Sequence, residues 1–213
     1  MRFHDRTDAG LKLAERLFMD FRGRNDIVLF ALPRGGAVLG VEVAKKFGMP
    51  FDLIVTRKIG HPGNEEFAIG AMAETGETVW DEAEKAGVDS RMLNSIVLKE
   101  KKEAKRRIQI YRGGRVLPDL TGKTAVIIDD GIATGATMRA AVLAAKHQNA
   151  KDIVVAVPHG AKDTLDLMRA EGTKVIALHE PDLYGAVGSF YDAFGQTTDD
   201  EVLKFMKQYG PKV

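Results

Sequence analysis

Two adjacent carboxylates end an apolar run and lead straight into a loop of glycine, alanine and threonine: Val126 to Thr137 reads VIIDDGIATGAT. A loop of such small residues lets backbone N–H groups approach a phosphate closely. A helix beginning just after it adds free amides and a dipole that favour a dianion. Thr134 and Thr137 add hydroxyl donors, and Asp129 and Asp130 at the loop entrance can accept hydrogen bonds from a vicinal diol. Phosphate and diol are the two faces of a ribose phosphate. No lysine follows Gly135, so this is not the P-loop of nucleotide-binding proteins, and the Gly-x-Gly-x-x-Gly of a dinucleotide site is absent here. Two acids directly after an apolar run have little structural use, which favours a binding role over simple capping of a turn.

Other elements must place this segment. Ile27 to Leu32, Phe51 to Thr56, Thr124 to Asp129, Asp152 to Val157 and Lys174 to Leu178 are short, uninterrupted apolar runs, the pattern of strands buried on both faces. Pro33-Arg34-Gly35-Gly36 turns the first into a helix, and a helix from about Thr137 to Lys146 follows the third. Strands alternating with helices predict an α/β fold with a doubly wound, mainly parallel sheet. Ligands in such sheets sit beyond the carboxyl ends of the strands, where Arg34, Arg57 and Asp129 fall. Leu11 to Phe21 carries the stripe of an amphipathic helix lying over a sheet edge. Residues 58–80, with Gly60, Pro62, Gly63, Gly70 and a turn at Thr75-Gly76, read as a mobile loop and β ribbon. Residues 181–213 read as a small lobe over the sheet, with Thr198 and Glu201 as the capping box of a last helix. The whole is expected to be a single domain: core about 24–180, lid about 58–80, C-terminal hood about 181–213.

At this point a resemblance is plain. Val126 to Thr137 resembles the phosphoribosyl pyrophosphate (PRPP) motif of type I phosphoribosyltransferases, and the similarity spans roughly residues 27–160. It implies that Asp129 and Asp130 hold the ribose hydroxyls while Gly131, Ile132, Ala133, Thr134, Gly135, Ala136 and Thr137 wrap the 5′-phosphate. Arg34 and Gly35 lie in a turn similar to the family's pyrophosphate loop. Arg57 and Lys58 open a segment (RKIGHP) that resembles the mobile loop of adenine-type enzymes and would neutralise departing pyrophosphate. Glu65 and Glu66 are, by the same analogy, candidates for the acid or base. Ala133 stands where 6-oxopurine enzymes carry an aspartate, which argues against hypoxanthine or guanine.

The implied reaction is Mg²⁺-dependent transfer of a 5-phosphoribosyl group from PRPP to a small nitrogenous base, with the metal reached from Asp129 and Asp130 through ribose hydroxyls or water. The alternative is a non-catalytic PRPP or nucleotide-binding regulator.

Composition narrows the partners. With 31 basic and 30 acidic residues the net charge is +1, so no overall field recruits nucleic acid or an anionic membrane. The basic run from Lys99 to Arg107 is interrupted by Glu100 and Glu103, and Lys99, Glu103 and Arg107 can pair along one helix face. Cysteine is absent, which excludes disulfides and thiol chemistry, and no run approaches the about 20 apolar residues of a membrane span. A cytoplasmic location and a possible homodimer are expected. The histidines, His159 and His179 among them, show no metal spacing, and the spacing of Phe190, Tyr191 and Phe194 suits the core of the small lobe, the other use of such rings being to stack on a planar base.

Overall fold

Alternating side chains along three strands build both faces of the central sheet. In Ile27–Ala31 (β1), Leu29 and Ala31 enter one core and Phe30 the other. The same division occurs in Thr124–Ile128 (β6), where Val126 and Ile128 oppose Ala125 and Ile127. Asp152–His159 (β7) repeats it with Val154 and Ala156 against Val155 and Val157. The computed structural model describes residues 1–212, with every side chain among them except those of Glu65 and Glu66. Among the described residues the main sheet has five parallel strands in the order β2-β1-β6-β7-β8, β2 being Phe51–Leu53 and β8 Lys174–His179.

Helices cover both faces, as the doubly wound expectation requires. Arg6–Phe21 (α1), Gly35–Phe47 (α2) and Asp199–Tyr209 (α7) fill the first core. Ala136–His147 (α5) and Lys162–Ala170 (α6) fill the second. Helix α1 starts five residues earlier than the apolar stripe suggests, because the Asp5 side chain accepts from the Asp8 N–H at 2.8 Å and caps its first turn. It packs on α2 and lies over β7 and β8. The Thr198–Glu201 capping box is present at α7.

The run read as one strand from Phe51 to Thr56 divides. Ile54 still donates to the Ala31 carbonyl at 3.2 Å. Val55, however, exchanges hydrogen bonds with Glu74: its N–H donates to the carboxylate at 2.8 Å and its carbonyl accepts at 2.9 Å. The chain is thereby drawn off the main sheet. It continues as a second, antiparallel sheet of Thr56–His61 (β3), Asn64–Ala73 (β4) and Thr78–Trp80 (β5), with turns at Pro62-Gly63 and at Thr75-Gly76. This is the ribbon expected over residues 58–80. Glu82–Ala86 (α3) and Ser90–Arg112 (α4) follow, and α4 packs back on the ribbon through Leu93, Ile96 and Val97 against Ile59, Ile69 and Met72.

A buried ionic cluster fastens this arm to the sheet. Arg112, at the end of α4, donates to Glu74 at 2.6 and 2.7 Å and to the Leu53 carbonyl at 3.1 Å, and its Nε lies 3.5 Å from Asp52. The Arg112 side chain is 0% exposed. Among the described residues no helix is long and apolar enough to cross a membrane.

Candidate functional site

The site forms where β1 and β6 end side by side. Leu32 donates to the Ile128 carbonyl at 2.9 Å, which sets the turn Pro33-Arg34-Gly35-Gly36 against Asp129 and Asp130. The approach is so close that a β-carbon on Gly35 would lie 2.0 Å from Asp130 Oδ2. The Pro33–Arg34 peptide is cis. Arg34 points across the turn towards α7, 3.6 Å from Asp199.

The loop after Asp130 is anchored from outside and open inside. Ile132 donates to the His159 carbonyl at 3.1 Å, Ala161 donates to the Ile132 carbonyl at 2.9 Å, and the Thr164 hydroxyl donates to the Ala133 carbonyl at 2.7 Å. Gly135, at φ +74°, turns the chain into α5, and no side chain caps that helix. Its first-turn amides are therefore aimed into the loop with no competing side-chain acceptor, as an anion site requires. Asp129 to Met138 line a cavity of about 250 Å³, closed by Lys58 and Ala68 from the ribbon and by Val187 from the lobe.

Both carboxylates retain a window onto this cavity, yet protein surrounds them. Burial, reinforced by the neighbouring Asp130 charge, pushes Asp129 well above the usual carboxylate range. Burial also raises Asp130, opposed by the Arg6 guanidinium. The pair is thus prepared for an electropositive ligand or a cluster of hydroxyl donors.

The expected residues do not all converge. Asp129, Asp130, the loop from Gly131 to Thr137 and Lys58 share one cavity. Arg57 does not line it: successive strand residues face opposite ways, and its Nε donates to Glu100 of α4 at 2.7 Å. The side chains of Glu65 and Glu66 lie outside the described ones. Glu103 accepts from Arg107 at 2.9 Å, the i to i+4 pairing expected on α4.

Three residues enter that the sequence had not assigned to the site. Tyr191 is buried, as a core residue would be, but its hydroxyl donates to the Asp130 carbonyl at 2.5 Å. His159 is fully buried beneath the loop, stacked on Phe190 at 4.4 Å and hydrogen-bonded to the Tyr184 hydroxyl at 2.7 Å. Burial lowers its pKa to about 4, so at neutral pH it is an uncharged floor for Gly131. Arg6 donates to Asp130 at 2.7 Å from 124 positions away in sequence, and no local pattern could have announced it.

A parallel sheet whose acid-ended strand feeds a small-residue loop and an uncapped helix defines an α/β protein with free amides facing a cavity beyond its strand ends. The chain belongs to the phosphoribosyl transferase domain family, whose model matches residues 3–192. A Mycobacterium tuberculosis (strain H37Rv) protein named "Putative phosphoribosyl transferase Rv0571c" is 42% identical over 206 residues, covering 96% of this chain. The chain spans 46% of that relative, about half its length. The crystal structure of TT1426 from Thermus thermophilus is 36% identical with a TM-score of 0.79, covering 99% of this chain and 100% of that one. The structure of AQ2163 from Aquifex aeolicus, 14% identical, covers 86% of this chain and 78% of that one with a TM-score of 0.51, a likeness of fold.

Proposed function

We propose that this chain binds PRPP and transfers its 5-phosphoribosyl group to a small nitrogenous base. The observation that carries the reading is the meeting, in one cavity, of an acid pair, an uncapped phosphate loop and a lysine from a separate sheet. Amides of Gly131 and of Ala133 to Thr137 hold the 5′-phosphate, that of Ile132 being engaged by His159, and Asp129 and Asp130 accept from the ribose diol. A nitrogen of the base forms a bond to C1 as the C1–O bond breaks, and pyrophosphate leaves with the electron pair. Lys58 stabilises the charge that develops there, joined by the backbone of Gly35 and by Arg34 once its side chain turns from Asp199. Arg57 does not share this work; paired with Glu100, it fixes the ribbon that presents Lys58. The ribbon and Val187 limit access of water, which would otherwise capture the cation-like sugar.

The residues fit a divalent ion held mostly by substrate. Among the described residues no group of three or more His, Asp or Glu is clustered as a cage. Two adjacent carboxylates that would reach the ion through ribose hydroxyls or water leave it the substrate-oxygen and water ligands that Mg²⁺ prefers. Bound there, Mg²⁺ would supply neutralisation of the pyrophosphate oxygens. A cytoplasmic location, where PRPP and free bases occur, goes with this reading.

The test is calorimetric titration with PRPP, with and without magnesium, followed by a screen for pyrophosphate release over purine and pyrimidine bases. Magnesium-dependent binding with release for one base is expected. Binding without release would make the protein a sensor, and no binding would sink the proposal.

The loop assignment has its own check. Valine at position 135 would adopt a left-handed conformation and place its β-carbon 2.6 Å from Thr164 Cγ2. Gly135→Val is expected to cost about 2 kcal/mol of stability in urea denaturation and to abolish binding of ribose 5-phosphate. Retention of parental affinity would show that the phosphate sits elsewhere.

A further inference from the structure

The first turn of α1 reaches into the acid pair. Arg6 Nε donates to Asp130 Oδ2 at 2.7 Å, Nη1 donates to the Gly195 carbonyl at 2.5 Å, and the guanidinium lies 3.9 Å from the centroid of the Phe194 ring. The two side chains of the ion pair are only 13% and 14% exposed. A β-carbon at Gly35 would stand 3.0 Å from Arg6 Nε as well as against Asp130, so the glycine turn leaves room for both. A cation at the first position of a helix opposes the helix dipole. The placement of Arg6 is therefore set by Asp130 and the lobe, not by α1. Main-chain bonds tie the same parts together: Phe3 N–H to the Phe190 carbonyl at 2.8 Å, Asp192 N–H to Phe3 at 2.9 Å, and Ala193 N–H to His4 at 2.8 Å.

We propose that Arg6 is a built-in counter-ion that holds Asp130 and the lobe at residues 194–195 together until a substrate bearing its own cation takes its place. The inference rests on the PRPP reading of the acid pair. A guanidinium and a metal-bearing diol compete for the same edge of Asp130, because an oxygen committed to a charged donor at 2.7 Å accepts poorly from a hydroxyl. Arginine suits this position because its planar fork serves Asp130 and the Gly195 carbonyl at once while its face rests on Phe194, which a lysine ammonium could not do. Arrival of the ligand frees the guanidinium, and with it residues 194–195 of the lobe.

The experiment compares the full chain with Arg6→Gln and Arg6→Lys in two ways: hydrogen exchange of amides 188–195 without ligand, and the magnesium dependence of PRPP binding by calorimetry. In Arg6→Gln the lobe amides should exchange about tenfold faster. The magnesium concentration giving half-maximal PRPP binding should fall, with no loss of affinity at saturating magnesium. Arg6→Lys should fall between the variant and the parent in both. Weaker PRPP binding at unchanged magnesium dependence would make Arg6 a substrate ligand and overturn the proposal, as would unaltered exchange. If the parent binds no PRPP, the functional reading fails, and the exchange comparison alone decides whether Arg6 latches the lobe.

Discussion

With Asp129 and Asp130 both changed to asparagine, the affinity for PRPP at saturating magnesium is expected to fall roughly a thousandfold, about 4 kcal/mol. In the proposed binding mode each carboxylate would accept a charge-assisted hydrogen bond from the diol, and an amide would replace it with a neutral acceptor and a donor facing the wrong way. The fold should survive, with the lobe at residues 194–195 loosened where Arg6 loses its charged partner. Asp129 is already pushed towards its neutral form by burial, so a neutral side chain of the same shape suits its surroundings. The bond from Tyr191 goes to the backbone of Asp130 and is retained. Calorimetry for PRPP and a thermal scan separate the two effects. An unchanged dissociation constant in a folded double variant would remove the diol-binding role.

A second large effect is expected far from the cavity. Arg112→Met should cost about 3 to 5 kcal/mol at neutral pH, because it strands the buried Glu74 without its counter-charge, while Asp52 keeps Arg115 at 3.1 Å. The Glu74 carboxyl is raised by burial even in the parent, with Arg112 opposing the shift. In the variant that opposition is gone and the folded-state pKa rises further. A carboxyl raised on folding destabilises the native state as pH climbs past its unfolded value, and the loss is regained on acidification. The difference between parent and variant in urea denaturation should therefore be largest at neutral pH and shrink towards pH about 4, the usual carboxylate value. A deficit independent of pH would mean that lost packing, not stranded charge, is responsible.

What the sequence disclosed and what it withheld divide along physical lines. Strand positions were legible because each apolar run is buried on both faces, and that demand is local. The loop proposed to hold phosphate was legible for the same reason: Asp129 to Thr137 is contiguous, and these residues share one cavity. The ribbon showed itself through Pro62-Gly63 and Thr75-Gly76. The opposed directions of Arg57 and Lys58 could have been anticipated from strand alternation, had residues 56–61 been read as a strand instead of the opening of a loop. Which face met the cavity could not, since α4 decides it through Glu100. The break after Leu53 was equally hidden, because it depends on Glu74 reaching back to Val55. His159 ends a strand like any other, and only the fold places it under Gly131.

The Arg57–Glu100 pair has a mechanical meaning. One side of β3 grips α4 through Arg57 and Glu100, and the other offers Lys58 to the cavity. The helix is in turn held to Asp52 and Glu74 through Arg112 and to Asp199 of α7 through Arg106 and Tyr111. The station of Lys58 is thus set by ionic contacts that lie outside the cavity.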